Sequence, residues 1–107
     1  MLDLESGSEE EELGLVRLAF EHFKRLFNGP SCAHYCSALL EDLFTVREIR
    51  ETSQRLGVAR LLAAGKSYAA IEAETGASAT TIARVSKCLS YGAGGYEQAL
   101  KILDARP

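Results

Sequence analysis

This chain of 107 residues contains few of the signals that break helices or build strands. Its only prolines are Pro30 and Pro107, so the long segment between them carries no residue that must end a helix. No run of alternating β-branched residues indicates a half-buried strand. No stretch is apolar and long enough to span a bilayer. These absences favour a soluble, all-α fold of one domain.

Cysteine and targeting signals are equally scarce. The three cysteines, Cys32, Cys36 and Cys88, are an odd number, which argues against a disulfide framework. The first twelve residues, MLDLESGSEEEE, lack the basic start and the apolar centre of a secretory signal. We therefore expect a cytoplasmic protein.

Charge is unevenly distributed along the chain. The formal net charge is −3, but residues 1–12 contain six acids and no base, which leaves the remaining residues at +3. The segment 44–91 contains seven bases and four acids. An acidic leader on a mildly basic body suits a nucleic-acid binder, although a solvated surface without an anionic partner explains the charge equally well.

Apolar periodicity and capping signals predict six helices. We expect residues 1–8 to be a disordered acidic leader and residues 9–107 to form the helical domain. The third helix should begin at a capping box formed by Thr45 and Glu48. The predicted helices are 9–27, 31–44, 46–65, 67–75, 78–90 and 96–103. The fourth and fifth are short and joined at Gly76, which is the layout of a helix-turn-helix at about 67–90.

The fifth helix has two chemically different sides. At 100° per residue, Ile82, Val85 and Leu89 share one face, which we expect to be buried. The opposite face is small, hydroxylated and cationic, and it can approach phosphates and base edges. The candidate DNA-binding residues are Ser67, Ser78, Ala79, Thr80, Ala83, Arg84 and Lys87.

One flank of the same helix suggests a second kind of site. Thr81, Arg84 and Cys88 run along this flank, and Arg55 on the third helix is a plausible cation to meet them. Two arginines and a hydroxyl can hold a carboxylate. The alternative is that both arginines contact phosphates or solvent.

Residues 42–100 resemble the tryptophan-repressor superfamily, in particular its YerC/YecD-like branch. The similarity lies in LFTVREI, SQRLGVARLLAAGKSY, ETGASATTIARVSKCL and SYGAGGY. It implies a six-helix Trp-repressor-like fold, an intertwined homodimer and a helix-turn-helix that binds palindromic or repeated operator DNA. Two recognition helices would then enter major grooves about 34 Å apart.

The resemblance also implies an effector pocket in part. Thr45, Arg55, Thr81 and Arg84 match positions that hold tryptophan in the founding repressor, whereas Val85 and Cys88 replace a Gly and a Ser of that pocket. The Val85 side chain would intrude on an indole, so we expect a different small effector or none rather than tryptophan.

Other sites are weakly supported by the sequence. On a helix Cys32 and Cys36 share a face but His34 points away, so only two ligands would converge, and we expect two buried cysteines and no metal site. We expect no cofactor, no membrane partner and no enzymatic activity, because no catalytic constellation or phosphate loop is present. The alternative to a DNA-binding transcriptional regulator is a helical dimeric protein-interaction module without DNA binding.

Overall fold

The computed structural model describes residues 8–104, which form six α-helices and no strand. The helices are α1 (Ser8–Asn28), α2 (Cys32–Leu43), α3 (Val46–Ala63), α4 (Tyr68–Thr75), α5 (Ala79–Tyr91) and α6 (Gly95–Asp104). Each predicted helix is present with its ends within two residues of the expected positions. Ser8 begins α1, and the rest of the predicted acidic leader lies outside the described residues.

Local capping chemistry explains where α3 begins and ends. The Thr45 hydroxyl accepts from the Glu48 N–H, and the Thr45 N–H donates to the Glu48 carboxylate, at 3.1 and 3.0 Å. This confirms the predicted capping box. At the other end Gly65 has a φ of 81°, and its N–H and that of Lys66 donate to Leu62 and Leu61 carbonyls. This Schellman arrangement needs a left-handed residue, which glycine supplies without steric cost.

The chain divides into two compact units, one ending at Leu43 and the other beginning at Phe44. In the second unit α3 packs against α4, α5 and α6. The buried core of this unit consists of Val58, Ala59, Ile71, Ala77, Ile82 and Val85, with Leu61, Leu62, Leu89 and Tyr96 packed around it. α3 is therefore the scaffold on which the two short helices are held.

The first unit is a pair of helices, α1 and α2, without a core of its own. Phe23 and Phe27 stack with ring centroids 4.5 Å apart, and the Tyr35 hydroxyl donates to the Leu26 carbonyl. No side chain in residues 9–43 is buried. Among the helices described between residues 8 and 104, none is both long and apolar enough to cross a membrane.

The structure corrects one expectation in this unit. Cys32 and Cys36 are joined by a disulfide, with Cα atoms 5.2 Å apart, and both are half-buried rather than buried thiols. One helical turn brings residues i and i+4 onto the same face, which places the two sulfur atoms next to each other. The odd number of cysteines excludes complete pairing, but it does not exclude one local bridge.

The capping box generates a stability prediction. Thr45→Ala removes the side-chain acceptor of the Glu48 N–H and should lower the free energy of unfolding by about 1 kcal/mol. Thr45→Ser keeps the hydroxyl and should lose much less. Urea unfolding followed by circular dichroism would measure both, and equal losses would contradict the capping role.

The capping box also makes the contribution of Glu48 to the free energy of unfolding depend on pH. The backbone and side-chain hydrogen bonds from Thr45 lower the pKa of Glu48 from its ordinary value of 4.5. A lowered pKa in the folded state stabilises the protein at pH above 4.5, and this contribution is lost as pH falls through the folded-state pKa. The difference between wild type and Glu48→Gln should therefore shrink on acidification below pH 4.5.

Candidate nucleic-acid interface

The turn between α4 and α5 is held by three side-chain hydrogen bonds. The Thr75 hydroxyl donates to the Ile71 carbonyl at 2.6 Å and accepts from the Ala77 N–H at 3.1 Å. The Gln54 amide on α3 donates to the Thr75 carbonyl at 3.0 Å. Gly76 has a φ of 74°, which lets the chain reverse directly after α4. These contacts fix the angle between the two short helices from both ends of the turn.

Both short helices begin at serine caps. Ser67 accepts from the Ala70 N–H and Ser78 accepts from the Thr81 N–H, each at 3.2 Å. The Ser78 hydroxyl also donates to the Thr81 hydroxyl at 3.1 Å. The two serines therefore define where α4 and α5 begin. The N–H groups at the N-termini of these helices consequently have a fixed direction.

Burial divides α5 as its sequence predicted. Ile82 and Val85 are 0% and 1% exposed, and Leu89 is half-buried against the same core. The outward candidates are all exposed, namely Ala79, Thr80, Ala83, Arg84 and Lys87. Ser67 and Ser78 are exposed as well. The structure thus brings the candidate residues of α5 to one accessible surface beside the turn.

This surface, which we call the α5 face (Ala79, Thr80, Ala83, Arg84 and Lys87), is electropositive. Within the part of the chain that the structure describes, the ion pairs are Lys24–Glu21, Arg47–Glu51 and Lys101–Glu97. Arg84 and Lys87 take part in none of them. α5 itself contains no acidic residue. Both cations are consequently available to an anionic partner.

A small cavity lies on one flank of α5. It has a volume of about 260 Å³ and is lined by Arg55, Arg84, Val85, Cys88 and Tyr96. Four of the six predicted effector-pocket residues, Arg55, Arg84, Val85 and Cys88, come together here from α3 and α5. Arg84 belongs both to this cavity and to the α5 face. Contact with a ligand in the cavity would therefore affect a residue that also faces outward.

Two predicted pocket residues are absent from the cavity lining. The Thr45 hydroxyl donates to the Glu48 carboxylate, and the Thr81 hydroxyl accepts from Ser78. Tyr96 at the start of α6 was not anticipated as a lining residue. The only sequence signal was its place directly after the glycine-rich segment 92–95, which does not specify where α6 returns.

A second depression, within the part of the chain that the structure describes, contains none of the predicted site residues. This wider depression of about 520 Å³ is bordered by Gly57, Arg60, Leu61, Ala63, Ala64, Glu74, Thr75, Leu100 and Asp104. Among the residues that the structure describes, no group of three or more His, Cys, Asp or Glu side chains could hold a metal ion. Cys88 is an exposed thiol on the cavity flank.

Comparisons with known proteins agree with this architecture. Residues 20–104 match the family model described as Trp repressor protein. The uncharacterized protein YerC of Bacillus subtilis is 52% identical over 65 residues, which cover 61% of this chain and 62% of YerC. The chain therefore matches less than two thirds of the length of that relative.

A solved structure matches almost the whole chain. It is a crystal structure of a proposed Trp repressor from Staphylococcus aureus, 32% identical, with a TM-score of 0.61. The match covers 99% of this chain and 98% of the other. Together with the family model, which spans most of the sequence, these similarities show that the chain belongs to the Trp repressor family.

Proposed function

We propose that this protein is a sequence-specific DNA-binding transcriptional regulator that acts as a homodimer through a helix-turn-helix at about 67–90. Residues 9–107 form the DNA-binding domain in this proposal. The observation that supports this proposal most is the exposed, cationic α5 face on a helix whose opposite side is buried at Ile82 and Val85. Membership of the Trp repressor family favours the same role and a regulator over an enzyme.

The α5 face suits the major groove of DNA. Recognition helices of this motif insert their N-terminal residues between the phosphate backbones. Ala79, Thr80 and Ala83 are small enough to permit close approach, and Arg84 and Lys87 supply positive charge. Ser67 and Ser78 place the N-termini of α4 and α5 where their N–H groups can meet phosphates.

A second copy of the chain is needed to cover the first unit. Leu13, Val16 and Phe20 are 57–59% exposed and lie along one stripe of α1. Leu15, Leu18 and Leu26 are 43–53% exposed on a second stripe about 150° away at 100° per residue. A helix that is apolar on two sides is stable only when it is enclosed by other helices. An intertwined homodimer provides that enclosure, and its symmetry implies a palindromic or repeated operator.

We propose the 260 Å³ cavity as an effector site for a small carboxylate. Arg55 and Arg84 form no ion pair within residues 8–104, and paired guanidinium groups bind carboxylates strongly. The Val85 side chain occupies the wall of this cavity, which leaves tryptophan a poor fit. Because Arg84 also belongs to the α5 face, the effector would alter DNA affinity.

Selection from genomic DNA tests the function as a whole. Purified protein is mixed with sheared DNA from its own source, and retained fragments are sequenced with and without a pool of amino acids. Enrichment of a short symmetric or repeated site is expected. No enrichment at low or moderate salt would contradict DNA recognition and favour the helical dimeric protein-interaction module, in which the exposed α5 face would contact another protein.

Removal of the α5 cations should weaken DNA binding without affecting assembly. Arg84→Ala or Lys87→Ala should cost about 1–3 kcal/mol of binding free energy and reduce the log–log salt slope by about 1 for each lost phosphate contact. Lys101→Ala on α6 removes an exposed cation paired with Glu97 and is the matched control. Fluorescence anisotropy over a salt series would measure all three, and wild-type affinity in both α5 variants would argue strongly against this surface.

Charges placed on the α1 stripes should dissociate the dimer. Val16→Glu and Leu18→Glu each bury a carboxylate at the proposed interface and should weaken dimerisation at least about a hundredfold. Arg17→Glu places the same charge on the polar side of α1 and should leave the dimer intact. Sedimentation velocity distinguishes the outcomes. Loss of dimer in only one stripe variant would contradict enclosure of α1, and a monomeric wild type would contradict the dimer itself.

The cavity proposal predicts selective stabilisation by ligands. Small carboxylates should raise the melting temperature of the wild-type protein, and a ligand at a hundred times its Kd adds about 2.7 kcal/mol. Arg55→Gln should abolish the shift, whereas Arg47→Gln, also on α3, should not. A shift with tryptophan as large as that with smaller carboxylates would contradict the exclusion by Val85.

A further inference from the structure

The recognition surface of α5 offers a restricted set of chemical groups. The helix sequence ATTIARVSKCLSY contains no Asn, Gln, Asp or Glu. Its exposed α5 face presents two cations, two alanine methyl groups and one threonine. The set of bases that this face can distinguish follows from those groups.

Two of the four bases lack their usual side-chain partners on α5, and on the α5 face only the Thr80 hydroxyl could bond to either of them. Adenine is read through paired contacts to N6 and N7 by the amides of Asn or Gln, and cytosine through acceptance from its N4 amino group by Asp or Glu. The amide of Gln54 on α3 is half-buried and bound to the Thr75 carbonyl at 3.0 Å, so it serves the turn rather than the groove. The hydroxyls of Ser78 and Thr81 are bound to each other.

The other two bases, guanine and thymine, each have matching side chains on α5. Guanine presents the acceptors O6 and N7, which match the guanidinium of Arg84 and the ammonium of Lys87. Thymine presents a C5-methyl group, which alanine and threonine methyl groups contact by apolar packing. Ala79, Thr80 and Ala83 are all exposed and lie in the first half of α5, the half that reaches base edges in a helix-turn-helix.

We propose that direct base readout by α5 is confined to thymine and guanine, with Ala79, Thr80 and Ala83 against thymine methyl groups and Arg84 against guanine acceptors, while Lys87 in the second half of the helix contacts a phosphate. This inference rests on the proposed function of α5 as the recognition helix. It specifies the chemistry of the operator: each half-site carries contacted thymines and guanines, and specificity depends on methyl groups as much as on hydrogen bonds.

Base analogues test this directly on an operator recovered by the genomic selection. Deoxyuridine replaces thymidine without changing base pairing and removes only the C5-methyl group. Each contacted position should lose about fourfold in affinity, which corresponds to the burial of one methyl-sized group. A non-operator duplex with the same substitutions is the control and should bind unchanged.

Purine analogues provide the complementary arm. 7-Deazaguanine removes the N7 acceptor and should cost about tenfold at a contacted guanine, because the lost hydrogen bond involves a charged donor. 7-Deazaadenine should leave affinity unchanged at every position of the half-site. A tenfold loss with the adenine analogue would overturn the proposed restriction.

Thr80 allows the methyl and hydroxyl contributions to be separated. Thr80→Val keeps a methyl group and removes the hydroxyl, whereas Thr80→Ser keeps the hydroxyl and removes the methyl. Thr80→Ser should bind the thymine operator about fourfold more weakly and lose the uracil effect at one position. Thr80→Val should retain the full uracil effect. The reverse pattern would overturn the role of the Thr80 methyl group.

Failure of this inference is distinguishable from failure of the proposed function. Specific operator binding that survives replacement of every thymine by uracil overturns the thymine readout and leaves the regulator intact. Absence of any specific site at low salt overturns both. Loss with uracil at particular thymines, combined with loss from 7-deazaguanine, supports the inference.

Discussion

Burial of one side of α5 against α3 is the constraint on which the proposed DNA-binding surface depends. Ile82 and Val85 are almost completely buried beside Val58 and Ala59 of α3, which fixes the rotation of α5 about its own axis. A helix whose rotation is fixed presents a fixed set of residues on its opposite side. The α5 face is thus a consequence of core packing and does not require specific contacts of its own.

The turn before α5 also fixes the orientation of α4. Thr75 binds both the preceding helix and the backbone of Ala77, and Gln54 ties the same residue to α3. Since three elements share one small network, loosening any of them would change the direction of both helix N-termini. The small cavity lies on the adjoining flank, where Arg84 serves both surfaces. A ligand there and DNA on the α5 face would compete for, or jointly orient, one guanidinium group.

The first unit buries much less of its apolar surface than the second does. Residues 44–104 bury a compact aliphatic core, whereas residues 9–43 bury no side chain and expose two apolar stripes on α1. Exposed apolar area of this extent is unfavourable in water and is relieved by association. In the proposed dimer, the α1 helices therefore supply the association energy that holds two recognition helices at a set spacing.

The sequence predicted much of this architecture because most of its signals are local. Thr45, Ser67 and Ser78 cap helices through hydrogen bonds that span only three residues, so neighbouring residues in the sequence suffice to predict their role. The sides of α5 could likewise be assigned from helical periodicity alone. In contrast, the bridge between Cys32 and Cys36 was missed although both were placed on one helical face, because spacing indicates proximity and not bond formation.

The sequence by itself determined the six helices, their ends and the division of α5 into a buried and an exposed side, since each depends on interactions within a few residues. Only the tertiary structure decided which distant residues meet. Arg55 and Arg84 converge on one cavity because α3 and α5 pack together, and Tyr96 completes its wall because α6 returns to the same core. The geometry of the glycine segment before α6 is not encoded in any local pattern, because glycine permits many backbone directions and packing selects among them.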